Sequence, residues 1–279
     1  MSSAETEEGQ AGRLLLPFPS GCVVARLVRR EKRFTVIATG AQGQELRAHT
    51  NNTGSMMGLL SPGAPALLSP AVNQDRKLKW TLEALALPGT PLDDNALALP
   101  GTPPNARHAW AGVNTQTPNR LLDAAFRARL LPQAHGYSTL KREATTGASR
   151  LDALLTAEPG SGLPPLYVEC KNVTLVEHGV ALFPDAATER GRKHLAELTR
   201  LVQEGARAAL FFLVQRPDGH TFAPAGRIDP DYAEALAVAL KAGVEAWVWR
   251  AAIAEAGISL AEPLPLHPDW AAHERKRTR

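Results

Sequence analysis

Cysteine is almost missing from this chain of 279 residues, which has Cys22 and Cys170 and no others. Two thiols make neither a disulfide framework nor a zinc ligand set. Each sits in an apolar, strand-like run, so each is expected to be a small buried hydrophobe. No apolar run approaches the roughly 20 residues that span a bilayer. A secretory leader is not expected either: the N-terminus is acidic and polar, and Leu14-Leu15-Leu16 is far too short an apolar stretch. The expected location is therefore the cytoplasm, with no membrane partner. A glycine-rich nucleotide loop is also missing, as is any carboxylate pair that can be placed as a glycosidase's. A small-molecule enzyme acting on sugars thus finds little support. What remains is a chain long enough for one large or two small domains, with ample core to fold without staples.

Excess charge of one sign is scarce too, with a net of +3, but the balance shifts along the chain. Residues 1–12 hold three acids and no base, and are expected to be a disordered tail. Residues 13–85 hold ten Lys/Arg against four Asp/Glu, and residues 86–262 hold 17 against 19. Residues 265–279 form a basic tail ending Arg275-Lys276-Arg277-Thr278-Arg279. A basic first domain joined to a near-neutral one with clustered carboxylates fits a polyanion gripped by one part and processed by the other. Solubility alone also accounts for such a surface.

The residues that carry chemistry are spaced as a triad: Asp152 in Ser149-Arg150-Leu151-Asp152, then Glu169 and Lys171 in Val168-Glu169-Cys170-Lys171. Glu169 and Lys171 are two apart on an expected strand, so their side chains share a face. Asp152 lies at the start of the preceding apolar strand. Two carboxylates and an ammonium at the ends of adjacent strands suit a hard divalent metal and a cation that orients an attacking water. This is the D…(D/E)-x-K pattern of metal-dependent phosphodiesterases, and an ion pair closing a strand end is the plainer alternative. The spacing therefore predicts Mg²⁺ or Mn²⁺ on Asp152 and Glu169, helped by the Cys170 carbonyl and waters.

The surroundings favour the metal site. Residues 22–28, 34–38, 45–49, 66–69 and 78–85 read as five short strands with turn signals between them, which fits a small OB-like β-barrel over residues 13–85. Leu-Ala-Leu-Pro-Gly-Thr-Pro occurs twice, starting at positions 85 and 97, and residues 86–108 are expected to be a Pro/Gly-rich surface linker without chemistry. Over residues 109–264 the pattern is helix (119–131, Asn119 as N-cap), strands (137–144, 149–156, 166–175), helix (186–204), strand (207–214), helix (231–242) and strand (244–249). The wholly apolar run 207–214 signals a sheet covered on both faces. The expected class is mixed α/β: an OB-like barrel, then a restriction-endonuclease-like mixed sheet flanked by helices, with Asp152 on its second strand and the Glu169/Lys171 pair on its third.

Several stretches carry a resemblance over residues 14–264: Asn52-Thr53-Gly54-Ser55-Met56, Asp75-Arg76-Lys77-Leu78, Gly112-Val113-Asn114-Thr115, the two triad segments, Phe183-Pro184-Asp185-Ala186-Ala187-Thr188-Glu189-Arg190-Gly191 and Lys193-His194-Leu195-Ala196-Glu197-Leu198. In these the chain resembles the sugar fermentation stimulation protein family. The resemblance implies an OB-like domain followed by a PD-(D/E)XK nuclease-like domain, and DNA binding. Cys170 stands where the family usually has Val, and Asn51 where it usually has Pro; neither change touches the triad. The 85–103 insertion is longer than the family's.

Further candidates are weighed against plainer roles. Glu143 supports a second metal or is a surface glutamate, and Arg150 contacts phosphate or pairs with Asp152. Arg190 and Lys193 sit in the first turns of an expected helix capped by Asp185 or Thr188, a good phosphate seat. His194 is not assigned as a base. In the barrel, Arg76, Lys77 and Lys79 interleave with Trp80 as in single-strand grooves, although Trp80 fits the barrel core equally well. Arg29, Arg30 and Arg33 form a phosphate-contacting loop or a solvated turn. Asn52 belongs to a polar turn that offers backbone N–H groups to phosphate or merely builds the turn. The reading is a DNA-binding protein with a metal-dependent, sequence-nonspecific nuclease-type site, with a non-catalytic DNA-binding regulator as the alternative. Homodimerisation stays open.

Overall fold

The computed structural model describes residues 14–73, 75–87, 108–146 and 149–270. The expected tails, most of the linker and the turn at Gly147 lie outside the described residues.

In chain order the elements are β1 (Leu16–Pro17), β2 (Val23–Glu31), β3 (Thr35–Thr39), β4 (Glu45–His49), β5 (Pro65–Pro70), β6 (Trp80–Ala86), β7 (Trp110–Gly112) and α1 (Thr117–Arg127). Then come β8 (Tyr137–Thr146), β9 (Ser149–Ala157), β10 (Leu166–Val173), β11 (Leu175–Glu177), β12 (Val180–Phe183), α2 (Glu189–Gln203) and β13 (Arg207–Val214). The chain finishes with β14 (Thr221–Pro224), α3 (Pro230–Lys241), β15 (Glu245–Ala254) and β16 (Gly257–Pro263).

Strands β2 to β6 form an OB-like barrel, sheet order β4-β3-β2-β5-β6, closed by a parallel β4–β6 pairing at Ala48 and His49. Its core is small and aliphatic, with Val36, Ala38, Ala48, Ala66, Leu68, Leu82 and Leu85 fully buried. Small residues suit the tight curvature that closure requires. Trp80 packs half-buried against this core.

The second unit is a seven-stranded mixed sheet, β1-β16-β15-β13-β10-β9-β8, in which β10, β13 and β15 run parallel. Along β13, Phe211 and Leu213 face the cluster that includes α1, while Leu210 and Phe212 face the cluster with α2 and α3. Both faces are covered, which is why this strand carries no polar residue between Ala208 and Val214.

Local expectations needed four corrections. Helix α1 starts at Thr117, and Asn119 is inside it instead of capping it, because Pro118 sets the first turn two residues earlier. Helix α2 starts at Glu189 with Thr188 as its cap, the Thr188 hydroxyl accepting from Gly191 N–H at 3.0 Å. Cys22 is half-buried, whereas Cys170 is buried. Strands β1, β7, β11, β12, β14 and β16 were not anticipated, since five of them have four residues or fewer and β16 runs from a glycine to a proline.

The two units interlock. Leu16 and Pro17 pair with β16 of the larger sheet, while Trp110 to Gly112 extends the barrel sheet along β6. A Cβ on Gly112 would come 2.2 Å from Gln215 Oε1, so a larger residue where the barrel meets the end of β13 would displace the buried Gln215 amide.

Candidate active site

Strands β9 and β10 pair antiparallel as far as Val168 opposite Ala153, and beyond that point they part. There the Asp152 carboxylate takes over the strand's role: Oδ2 accepts the Cys170 N–H at 2.8 Å, and Oδ1 accepts from Asn119 Nδ2 at 2.6 Å. Splayed strand ends leave backbone donors unpaired, and a carboxylate oxygen satisfies one of them here. Meanwhile β10 continues beside β13 to Val173, which carries Glu169 and Lys171 onward on one face. Lys171 Nζ donates to Glu169 Oε1 at 2.8 Å, so the period-two reading of this strand holds.

Helix α2 adds a fourth group. His194 Nδ1 also lies against Glu169 Oε1. A carboxylate only accepts, so Nδ1 carries the proton there, and the 3.3 Å separation of Lys171 Nζ from Nδ1 is then two donors converging on one oxygen. All three groups are buried, at 4% for Glu169, 9% for Lys171 and 7% for His194. His194 was not assigned from the sequence. The signal available was its place within the Lys193-His194-Leu195 segment, since a lone histidine carries no spacing of its own.

Electrostatics divides the two carboxylates. Burial and the nearby Glu169 charge push Asp152 above the ordinary carboxylate range, against the pull of Cys170 N–H, Asn119 and Lys171. Burial also pushes Glu169 upward, but the His194 hydrogen bond and the Lys171 charge outweigh it and hold Glu169 below that range. Glu169 Oε2 is buried with no hydrogen-bond partner. A buried anionic oxygen without a partner is costly unless another cation or donor completes it.

The donor set fits a hard divalent cation. Asp152 and Glu169 supply carboxylate oxygens, and Glu169 Oε2 is the unpartnered one. Among the described residues no group of three or more His, Cys, Asp or Glu side chains is arranged to hold a metal ion. A cation here would draw its remaining ligands from backbone carbonyl and water, as magnesium commonly does.

The other candidates are placed less centrally. Glu143 is exposed, has a φ of +58°, and pairs with Arg150 at 2.6 Å, so Arg150 pairs with Glu143 and not with Asp152. Lys193 is exposed and bridges to Glu189 at 2.7 Å, and Arg190 is exposed beside it. In the barrel, Arg29 pairs with Glu31. Arg30 is spent internally, its guanidinium donating to the carbonyls of Asn52, Arg33 and Gly54 at 2.7, 2.7 and 2.9 Å. Asn52 is buried, and its Oδ1 accepts the Gly54 N–H at 2.9 Å, so the polar turn uses that N–H itself. Arg33, Lys77 and Lys79 are exposed, and Arg76 donates to Thr81 Oγ1 at 3.1 Å. The turn meets the second unit at Asp185: Ser55 Oγ donates to Asp185 Oδ2 at 3.4 Å. A Cβ on Gly54 would come 2.6 Å from the same oxygen, so a larger residue there would push the Asp185 carboxylate aside.

Comparison with known proteins agrees with this architecture. Residues 28–91 match the SfsA N-terminal OB domain, and residues 116–257 match the sugar fermentation stimulation protein RE domain. A sugar fermentation stimulation protein homolog of Maridesulfovibrio salexigens is 51% identical over 90% of this chain and 97% of its own. One from Lawsonia intracellularis is 49% identical over the same shares of the two chains. Among solved structures, Pyrococcus furiosus SfsA in complex with Ca²⁺ superposes with a TM-score of 0.76 at 26% identity, over 91% of this chain and 99% of that one. The chain belongs to the sugar fermentation stimulation protein family.

Proposed function

Starting from that family membership, we propose that the protein binds DNA without sequence preference and hydrolyses its phosphodiester bonds with Mg²⁺ or Mn²⁺ at Asp152, Glu169 and Lys171. The observation that carries the reading is the buried, unpartnered Glu169 Oε2, beside an Asp152 whose charge is disfavoured by burial and by Glu169. A cation shared by the two would relieve both costs. The relative of known structure was solved with Ca²⁺, a cation of the same hard, oxygen-seeking class.

Bound there, the metal would supply Lewis-acid polarisation of a phosphoryl oxygen and an acidified water. Asp152 would be held in place for this by Asn119 and by the Cys170 N–H. Lys171 is a point charge two residues from Glu169 on the same face, suited to orient the attacking water and to stabilise the charge that builds on phosphorus. His194 shares Glu169 Oε1 with Lys171 and so limits where the ammonium can sit.

Nonspecific binding follows from the distribution of cations. They lie on the barrel and at the start of α2, where they would meet the phosphate backbone and not base edges. Arg33, Arg76, Lys77, Lys79, Arg190 and Lys193 are the proposed phosphate contacts, while Arg29, Arg30 and Asn52 support them by shaping the loop and turn.

A non-catalytic, DNA-binding regulator is the second reading. It is favoured by the closed Lys171–Glu169–His194 contact, which already neutralises one carboxylate without metal. Labelled single- and double-stranded DNA incubated with Mg²⁺ or Mn²⁺ separates the two. Cleavage is expected with either metal and none with EDTA; intact DNA across all substrates would leave the regulator. Calorimetry with Mn²⁺ should show binding that vanishes in Asp152→Asn, and unchanged binding there would put the metal elsewhere.

A further inference from the structure

Where the barrel meets α1 lies a groove of about 590 Å³. That volume is within the range of about 300–1,000 Å³ typical of small-molecule sites, room enough for one splayed-out nucleotide. Its lining includes His49, Arg76, Lys77, Glu83, Gln116 and Arg120. Among the described residues none of Arg76, Lys77 and Arg120 takes part in an ion pair. The acid, Glu83, is already engaged: its two oxygens accept from Ser69 Oγ at 2.6 Å and Asn114 Nδ2 at 2.8 Å. The groove therefore offers net positive charge to an occupant.

Its other features suit a nucleobase and its phosphate. The His49 ring stacks on Phe34, centroids 6.2 Å apart and planes 19° apart, which extends an aromatic surface from the barrel to the groove. The floor is rigid, because Asn114 Oδ1 also accepts from Asn51 Nδ2 at 2.7 Å and from the Gln116 N–H at 3.0 Å. A site with fixed polar edges spends little free energy on ordering when it binds.

The groove and the triad share helix α1. Gln116 and Arg120 are four residues apart, hence on one face, and both line the groove. Asn119 lies between them in sequence and holds Asp152 Oδ1 at 2.6 Å. The helix that lines the groove is thus also the helix that positions the Asp152 carboxylate.

We propose that this groove receives one unpaired nucleotide of the strand being processed, with its base at His49 and its phosphate at Arg76, Lys77 and Arg120. The proposal rests on the nucleic-acid reading above and adds a substrate class: strands with an unpaired nucleotide beside the phosphodiester to be cut. Burying one base is incompatible with continuous pairing at that position.

The test compares a short duplex with a single-stranded overhang carrying 2-aminopurine against the same duplex with blunt ends, using the full chain. The overhang should bind at least tenfold more tightly, with quenching of the probe. Arg120→Glu should bring overhang binding down to the blunt value while leaving blunt binding and Mn²⁺ binding unchanged. Arg120→Gln, which removes the charge but keeps a long polar side chain on α1, repeats the test should the first variant not fold. Equal affinity for the two duplexes, or an Arg120→Glu loss shared by both, would overturn the groove alone. Absence of binding to any DNA would overturn the nucleic-acid reading with it. A free deoxynucleoside monophosphate that bound more tightly than the overhang would replace the strand as occupant and overturn the proposal.

Discussion

The barrel and the larger sheet each bury a polar cluster, and the two clusters are built on opposite principles. In the barrel, Ser69, Glu83, Asn114 and Asn51 satisfy one another, and both Glu83 oxygens are hydrogen-bonded. In the larger sheet, Lys171 and His194 crowd one oxygen of Glu169 and leave the other with no partner. A satisfied cluster lowers the energy of the fold, whereas a frustrated one keeps an unmet demand that a ligand can meet. Buried charge alone therefore does not mark a site; what sets Glu169 apart is an anionic oxygen left without a partner close to a second buried carboxylate.

The largest test of this contrast is on catalysis. Lys171→Ala should lower the DNA cleavage rate by on the order of 10³-fold, the scale seen when one charge-stabilising group is lost, with DNA binding largely intact. Loss of binding together with activity would make Lys171 a DNA anchor or a fold element.

Next comes stability. Glu83→Ala strands the Ser69 hydroxyl and the Asn114 amide in the interior, for an expected cost of about 3 kcal/mol in denaturant unfolding. A loss below about 1 kcal/mol would mean that the barrel cluster is not the satisfied network described.

Asp229 is an intermediate case. It caps α3 by accepting the Tyr232 N–H at 2.9 Å, takes the Thr188 N–H at 2.8 Å, and pairs with Arg192 at 3.1 Å. Burial pushes its carboxyl upward, but the two N–H bonds and Arg192 prevail and hold it below its ordinary value. A depressed folded value means that the stabilisation is present above the unfolded pKa of about 3.9 and is lost as pH falls through the folded one. Asp229→Ala should thus cost about 1–2 kcal/mol at neutral pH. The gap to wild type should narrow below about pH 4. A gap independent of pH would rule out the charged cap.

The smallest effect is expected at Tyr232, whose hydroxyl is buried without a partner. Tyr232→Phe should be neutral or stabilising by up to about 1 kcal/mol, because no hydrogen bond is lost. A clear destabilisation would reveal a water or ligand held between Tyr232 and the Glu169 region.

Much of this architecture was legible in the chain. Periodicity located the five barrel strands and the apolar β13, because strands closing on a core must alternate or be wholly apolar. The triad was legible because a period of two forces Glu169 and Lys171 onto one face. Elements shorter than about five residues escaped, since so few residues display no period. Asn119 was misjudged for a physical reason: a helix can begin at any of several adjacent polar residues, and Pro118 decided among them.

What the sequence determined by itself was therefore whatever depends on neighbours along the chain: the order of strands and helices, the shared face of Glu169 and Lys171, and the basic character of the barrel. Only the tertiary structure decided which residues from distant elements meet. It brought His194 of α2 onto Glu169, set Asn119 of α1 against Asp152, spent Arg30 and Asn52 on a turn, and opened a groove between Arg76 and Arg120. The reason is that hydrogen bonds and ion pairs act over about 3 Å, and only packing brings residues tens of positions apart within that distance.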